Sequence, residues 1–278
     1  MDQVVRCPVL QMSGCAFLGR LPYSLLFGLL LALLAVVARV QAEPVVRIGT
    51  GDWTPYVDQQ RSDGGALARL VSAVFAVAGY RTEFVFYPWD RNVLMLEQGS
   101  LDAIMPYSCS PKRLDFGTCS DPLVRGEIVL FHRKDLSFDW RYVTDLRAFR
   151  IGTTHGYSYG PQFDQALQDG ILRVEQSSKE DTGFRLLELG RIDLYLQDRA
   201  VGYAMLRRLF PQGHAITHHP RFVNTEPLRL LFRRGDPAAA QLLERFNAEL
   251  ARFAERGELR RLQQAFSAGS ADQWRPAP

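Results

Sequence analysis

One pattern in this chain starts twice, and that repetition narrows the possible folds sharply. Arg47-Ile48-Gly49-Thr50 recurs as Arg150-Ile151-Gly152-Thr153, and Gly99-Ser100-Leu101-Asp102 recurs loosely as Gly190-Arg191-Ile192-Asp193, in the same order. Short β-rich runs alternate with helical ones around each copy. In the first pass, strands are expected at 45–49, 83–87, 102–105 and 127–132. Leu67, Leu70, Val71, Val74, Phe75 and Ala78 share one helical face that ends at Gly79, and 90–98 is a helix stopped by Gly99. In the second pass, strands are expected at 149–153, 172–175 and 192–196, with helices at 161–168, 182–189 and 200–210. Repeated strand–helix–strand units predict an α/β architecture. We expect two similar lobes, each a mainly parallel sheet flanked by helices, with 127–134 leading out of the first and 227–234 leading back. Residues 43–131 with 227–278 then form lobe 1 and 132–226 form lobe 2. The tail from 237 to 266 is helical, with Leu242, Phe246, Leu250 and Phe253 on one face and a break at Gly257. That face is expected to cover lobe 1.

Ahead of this pattern lies a different kind of sequence. Residues 21–38 carry no charge, Arg6 and Arg20 precede them, and Val40-Gln41-Ala42 follows. A basic lead, an apolar middle and a small-x-Ala exit predict a secretory signal peptide cut after Ala42. A membrane span needs about 18 to 20 apolar residues, and Pro22, Tyr23 and Ser24 shorten the strongly apolar part. Cys15 lies before the apolar segment, which argues against a lipoprotein. The protein is therefore expected in the periplasm. The chain has 278 residues and a net charge of +3, much of it from Arg6, Arg20 and Arg39 in the leader. So weak a balance gives no field for nucleic acid or a membrane surface.

Ser108-Cys109-Ser110-Pro111-Lys112-Arg113 follows the expected strand at 102–105, and Phe116 and Ser120-Asp121-Pro122 come next. A guanidinium is a planar fork for a carboxylate, and Ser108 adds a neutral donor. On these residues alone, a solvated turn whose arginine caps a helix remains open. Cys109 and Cys119 survive export, and a disulfide closing this short loop would brace Arg113; two buried free thiols are the alternative. No third and fourth ligand appear at metal spacing.

This order of features resembles the type II periplasmic solute-binding proteins, specifically the family 3 group that binds polar amino acids. The resemblance runs from about Val45 to Phe266. Three pieces carry it: Ser108 to Arg113 with Phe116 to Pro122, the Gly190 to Asp198 run, and Gly51-Asp52-Trp53-Thr54-Pro55-Tyr56. It implies a monomeric receptor whose lobes close on a small molecule. Arg113 and Ser108 would take the ligand carboxylate, Asp198 the ammonium, and Trp53 would stack on the side chain. The Gly156-Tyr157-Ser158 loop would donate backbone amides. The implied partner is the permease of an ATP-driven importer or, instead, a sensor kinase; no cofactor and no nucleic acid is implied. The chain departs from the family at its first helix, where Gly-Phe-Asp-Val-Asp-Leu becomes Gly65-Ala66-Leu67-Ala68-Arg69-Leu70, and near the clamp, where Pro106 replaces a hydroxyl. Ligand identity is left open by these changes.

Competing readings come from the same letters. Gly156-Tyr157-Ser158-Tyr159-Gly160 fits the Gly-x-Ser-x-Gly elbow of α/β-hydrolases, with Asp193, Asp198, His214, His218 and His219 downstream. No oxyanion loop precedes it, and too few strands follow. Some relatives on this fold are dehydratases, for which Glu127, Asp198 or His155 would be the general acid. His214, His218 and His219 lack a carboxylate or cysteine at ligand spacing and read as a solvated loop. Trp89 and Trp140 read as packing residues beside helix starts.

Overall fold

The computed structural model describes residues 43–277. The expected leader, with Cys15 and the cut at Ala42, lies outside the described residues. The chain enters through β1 (Val45–Thr50), α1 (Ala66–Val77), β2 (Arg81–Phe86), α2 (Trp89–Glu97) and β3 (Ala103–Tyr107). One turn of helix, α3 (Pro111–Leu114), leads to β4 (Gly117–Cys119) and the long β5 (Val124–Arg133). After a 3-10 turn at Val143–Ala148 come β6 (Ile151–Thr154), α4 (Pro161–Gln168), β7 (Val174–Ser177), α5 (Glu180–Glu188), β8 (Leu194–Asp198) and α6 (Arg199–Leu209). The chain then passes through β9 (Ile216–His218) and β10 (Asn224–Arg233) into α7 (Pro237–Glu255) and α8 (Glu258–Ser267).

The repeated letters are two copies of one interlock. The Arg47 amide donates to Asp102 Oδ2 at 2.7 Å, and the Arg150 amide donates to Asp193 Oδ2 at 2.9 Å. A Cβ on Gly49 would lie 2.5 Å from Leu101 Cδ1, and one on Gly152 would lie 2.5 Å from Ile192 Cδ1. In each copy the glycine leaves room for the apolar residue that precedes the aspartate, and the aspartate ties back to the start of the strand. Both strands so fixed are central: β1 pairs in parallel with β2 and β3, and β6 in parallel with β7 and β8.

The sheet order is β2-β1-β3-β10-β5-β8-β6-β7, with β4 on β10 and β9 on β5. The expected parallel pairing is found around β1 and β6. The two long strands add antiparallel pairs, because each runs past the join between the two strand groups. β5 and β10 pair with each other from Val124↔Leu228 to Ile128↔Asn224. Beyond that stretch, β5 pairs with β8 and β9, while β10 pairs with β3 and β4. β4 and β9 are three residues each, too short to show an alternating pattern. β7 begins two residues later than expected because Leu172 turns into the core instead, with its amide on the Ala166 carbonyl.

Buried apolar side chains settle the layers. α7 presents Leu242, Phe246, Leu250 and Phe253 inward, and Phe246 meets Phe75 of α1 at 4.8 Å between ring centroids. Asp236 caps α7 by accepting from the Ala238 amide at 2.9 Å, and Pro237 opens the helix. Gly257, in the left-handed region at φ 76°, turns the chain into α8. A separate cluster under α4 joins Trp140, Leu146, Tyr159, Phe163, Leu194 and Leu196. Trp89 opens α2 and packs edge-on against Tyr107 at 5.5 Å. Both tryptophans therefore pack as the sequence leads one to expect.

A disulfide joins Cys109 to Cys119, with Cα atoms 6.4 Å apart. It ties the loop that carries Ser108 and Arg113 to β4, whose Cys119 pairs with Leu231 of β10. Closing a loop of this length restricts the unfolded chain. Cys109→Ser with Cys119→Ser is expected to lower the unfolding free energy by about 2 to 4 kcal/mol in urea titrations. An unchanged midpoint would show that the bridge contributes nothing.

Candidate functional site

The fork is built at the end of β3. All five residues of β3 and Ser108 after them are buried, and the chain becomes part-exposed at Cys109. Arg113 then folds back over the strand it left. Its Nη1 donates to the Ser108 carbonyl at 3.2 Å and to the Ser108 hydroxyl, and its Cζ lies 4.9 Å from the Tyr107 ring centroid. Among the described residues, Nε and Nη2 donate to nothing and no carboxylate comes within 4.0 Å. Burial pushes the guanidinium pKa down, and the Tyr107 and Glu226 side chains act in the opposite sense. The Ser120-Asp121-Pro122 motif braces the strands instead of facing a ligand. The Ser120 hydroxyl accepts from the Leu230 amide at 3.0 Å, and the Ser120 carbonyl accepts from Arg229 at 2.6 Å.

Asp198 ends β8 and caps α6, a full cap of the kind that satisfies otherwise unpaired helix donors. Its Oδ1 accepts from the amides of Ala200 at 2.9 Å and Val201 at 3.2 Å. Its Oδ2 accepts from the Glu127 amide at 2.9 Å and from the Tyr56 hydroxyl at 3.2 Å. The side chain has no exposed surface, and burial pushes its carboxyl up to about 6, against the pull of those donors. An expected ammonium contact thus stands fully engaged with its own protein. Tyr56 is sandwiched between Trp53 at 4.8 Å and Phe266 at 4.4 Å. Trp53 is half-buried, and its Nε1 is buried without a hydrogen-bond partner.

The loop between β6 and α4 is held by its own side chains. Tyr157 donates to Glu180, and burial, followed by that carboxylate, raises its pKa well above the usual range. The Ser158 hydroxyl donates to Asp164 Oδ2 at 2.5 Å, and the Tyr159 amide donates to Asp164 Oδ1 at 3.0 Å. No histidine reaches Ser158: His218 Nδ1 meets the Tyr203 hydroxyl at 2.7 Å, and His214 Nδ1 sits 3.0 Å from the Ile216 carbonyl. The Ser158 hydroxyl has the Asp164 carboxylate as its side-chain partner and no imidazole beside it, so the elbow lacks the histidine that a hydrolase triad uses to activate its serine. Of the acids named for a dehydratase, Glu127 is paired with Arg199 at 2.5 Å, Asp198 is saturated and His155 is exposed.

Two residues to which the sequence assigns no role join these pieces. Glu226, on β10, stands opposite Gly126 of β5. Burial pushes its carboxyl up, and the Ser108 hydroxyl and the Arg113 charge act in the opposite sense. A Cβ on Gly126 would lie 3.3 Å from Asp198 Oδ2 and 3.6 Å from the Glu226 carbonyl. Tyr107, just before Ser108, stands opposite Arg229 of β10, and a Cβ on Gly160, just after the Ser158 loop, would lie 2.6 Å from Asn224 Cγ, so the strand bearing the fork, the buried aspartate and the Ser158 loop all meet β5 or β10 near the stretch where those two pair. The other residue, Tyr56, was visible as an aromatic in the Gly51–Tyr56 motif, though nothing gave its hydroxyl a target. Glu226 belongs to no motif. A recess of about 500 Å³ lined by Arg61, Asp63, Arg69, Ser72, Thr82 and Phe84 contains none of the expected site residues.

The family model of the bacterial extracellular solute-binding proteins, family 3, matches residues 46–269. No curated protein matches the chain. Among solved structures, a histidine kinase sensor domain with similarity to periplasmic binding proteins superposes with a TM-score of 0.67 at 22% identity, over 82% of this chain and 96% of that one. An ancestral arginine-binding protein bound to arginine gives 0.65 at 20% identity, over 81% and 99%. An ancestral amino-acid-binding protein, described as a precursor of cyclohexadienyl dehydratase, gives 0.64 at 22% identity, over 84% and 98%. At these identities the structures establish the periplasmic-binding-protein fold. The match along the sequence does more: this chain belongs to the bacterial extracellular solute-binding proteins, family 3.

Proposed function

We propose that this protein is a periplasmic receptor that captures a small amino-acid-like ligand between two lobes and carries out no chemistry on it. Lobe 1 comprises 43–131 with 227–278, and lobe 2 comprises 132–226. One observation carries the reading: Arg113 is fixed through Nη1 by Ser108 while Nε and Nη2 have no partner among the described residues. A pre-oriented guanidinium with two free donors is suited to a carboxylate. Trp53 and the Tyr157-Ser158 loop form the walls, and β5 and β10 are the connections that flex on closure. Closing expels water and strengthens every charge contact inside. The closed form is what a membrane partner reads, either the permease of an ABC importer or a sensor kinase. The receptor acts as a monomer, exported behind the leader.

Thermal-shift screening against amino acids, short peptides and small carboxylic acids tests this, because a ligand that binds only the folded state raises the melting point. At least one amino acid is expected to do so, and product accumulating in the same wells would contradict a receptor without chemistry. Arg113→Ala is expected to raise the dissociation constant of that ligand about a hundredfold or more, the scale of a lost charge-pair partner. Arg113→Lys should recover only part, since an ammonium lacks the fork. Near-normal affinity in Arg113→Ala would show that the carboxylate binds elsewhere.

Asp198 is assigned to the crossing of the two connections, which predicts a pH dependence. Its carboxyl holds its proton up to about 6 when folded and only to about 4 when unfolded. The folded state therefore binds more protons between these values, and this part of the stability is lost as pH rises through them. Glu180 and Glu226, also raised by burial, tilt the curve the same way. Urea titrations are expected to show a shallower fall in Asp198→Asn than in the parent protein. Equal slopes would place the carboxylate in contact with solvent.

A further inference from the structure

Arg69 stands in the first helix where the family pattern carries an acid, and nothing in the cleft uses that change. Its side chain is only 8% exposed and lines the recess of about 500 Å³ that the expected site residues do not reach. Nη1 donates to Asp63 Oδ2 at 2.8 Å and Nη2 to the Ala271 carbonyl at 2.8 Å, while Nε is buried without a partner. A buried donor left unpaired is costly. Arg61 grips the same carboxylate through Nε at 2.8 Å and Nη2 at 2.9 Å. Its Nη1 donates to nothing among the described residues, with the Asp272 carboxylate 4.0 Å away. Hydrogen bonding from Arg61 holds the Asp63 carboxyl well below the usual carboxylate range, so its charge persists. The lining therefore sets two guanidiniums against one carboxylate. Arg275 and Asp272 offset each other at its edge, and Asp58, outside the lining, accepts from the Gln60 amide at 2.9 Å.

The rest of the lining is of another kind. Thr82, Phe84 and Phe86 alternate along β2, the edge strand of the sheet, and so share one face. Both phenylalanines are only half-buried. The Ser72 hydroxyl of α1 meets that of Thr82 at 2.7 Å, a contact that uses one of their two protons. Small-molecule sites have volumes of roughly 300 to 1,000 Å³, and this recess falls within that range. We propose that it is a second small-molecule site, built for a monocarboxylate with an apolar body. The carboxylate pairs with Arg61 and Arg69, and the body covers Phe84 and Phe86. One unit of excess positive charge matches one carboxylate, and a guanidinium suits its planar geometry. A zwitterion would bring an ammonium toward the arginines, so the recess and the cleft select different guests. The site stands whether or not the receptor reading does.

Saturation-transfer NMR with titration calorimetry tests this on the Arg113→Ala protein, in which the other carboxylate fork no longer competes. Benzoate and hexanoate are the probes; acetate supplies the charge alone, benzyl alcohol the body alone, and inorganic phosphate an anion without a body. At least one probe is expected to saturate, binding about tenfold or more tightly than any of the three controls. Arg61→Gln in the same background is expected to weaken that binding about tenfold or more. Ser72→Leu, which fills part of the recess and leaves every arginine in place, is expected to weaken it as much. Melting points without probe report that each variant folds, and if one does not, the other decides. Failure of both probes to saturate, phosphate binding as tightly as benzoate, or unchanged affinity in a folded Arg61→Gln or Ser72→Leu would overturn the site. Probe binding that is seen in the parent protein and lost in Arg113→Ala belongs to the cleft and overturns it equally.

Discussion

Everything in this structure that bears on a ligand follows from two long strands that pass each other. β5 and β10 pair over a short antiparallel stretch and then diverge, each finishing in a different part of the sheet. At that crossing the chain can tolerate little bulk. A Cβ on Gly126 would crowd both the Asp198 carboxylate and the Glu226 carbonyl. Asp198 then links three elements through a single buried group: the start of α6, the backbone of β5 at Glu127, and the β1–α1 loop through Tyr56. A buried carboxylate is costly unless every lone pair is used, and here each is. Such a group is better suited to fixing geometry than to exchanging partners with a ligand.

Around this pivot the charges are placed unevenly. Glu127 and Arg199 cancel at 2.5 Å, and Glu180 is covered by Tyr157. Arg113 remains the one guanidinium of the fork, steadied by Ser108 and backed by the Tyr107 ring. Burial pushes its pKa down, and the Tyr107 and Glu226 side chains act in the opposite sense. The Cys109–Cys119 bridge and the Ser120 hydrogen bonds hold the fork's loop against β10.

Much of the architecture was legible in the letters because the same interlock is written twice. Gly49 with Leu101 and Asp102, and Gly152 with Ile192 and Asp193, are steric and hydrogen-bonding units that leave a recognisable spacing. The α7 face was equally clear, since Leu242, Phe246, Leu250 and Phe253 must lie on one side of any helix. Arg113 and Ser108 stood out because the fork needs both within a few residues of a strand end. Glu226 was hidden for a physical reason. It belongs to no motif, and only the pairing of β10 against β5, which sets it opposite Gly126, brings it to the crossing. The hydroxyl of Tyr56 was hidden likewise, because its acceptor lies on β8. β4 and β9, at three residues each, are held by their neighbours and carry no periodic signal of their own.

If one guest touches groups from both sides of the crossing strands, a crystal structure of the protein with a bound L-amino acid will show it. Density is expected in the cleft, with the carboxylate on Nε and Nη2 of Arg113 and Asp198 still bonded to Tyr56. A ligand seated in the recess beside Arg61 and Arg69, with the Arg113 donors untouched, would refute that arrangement.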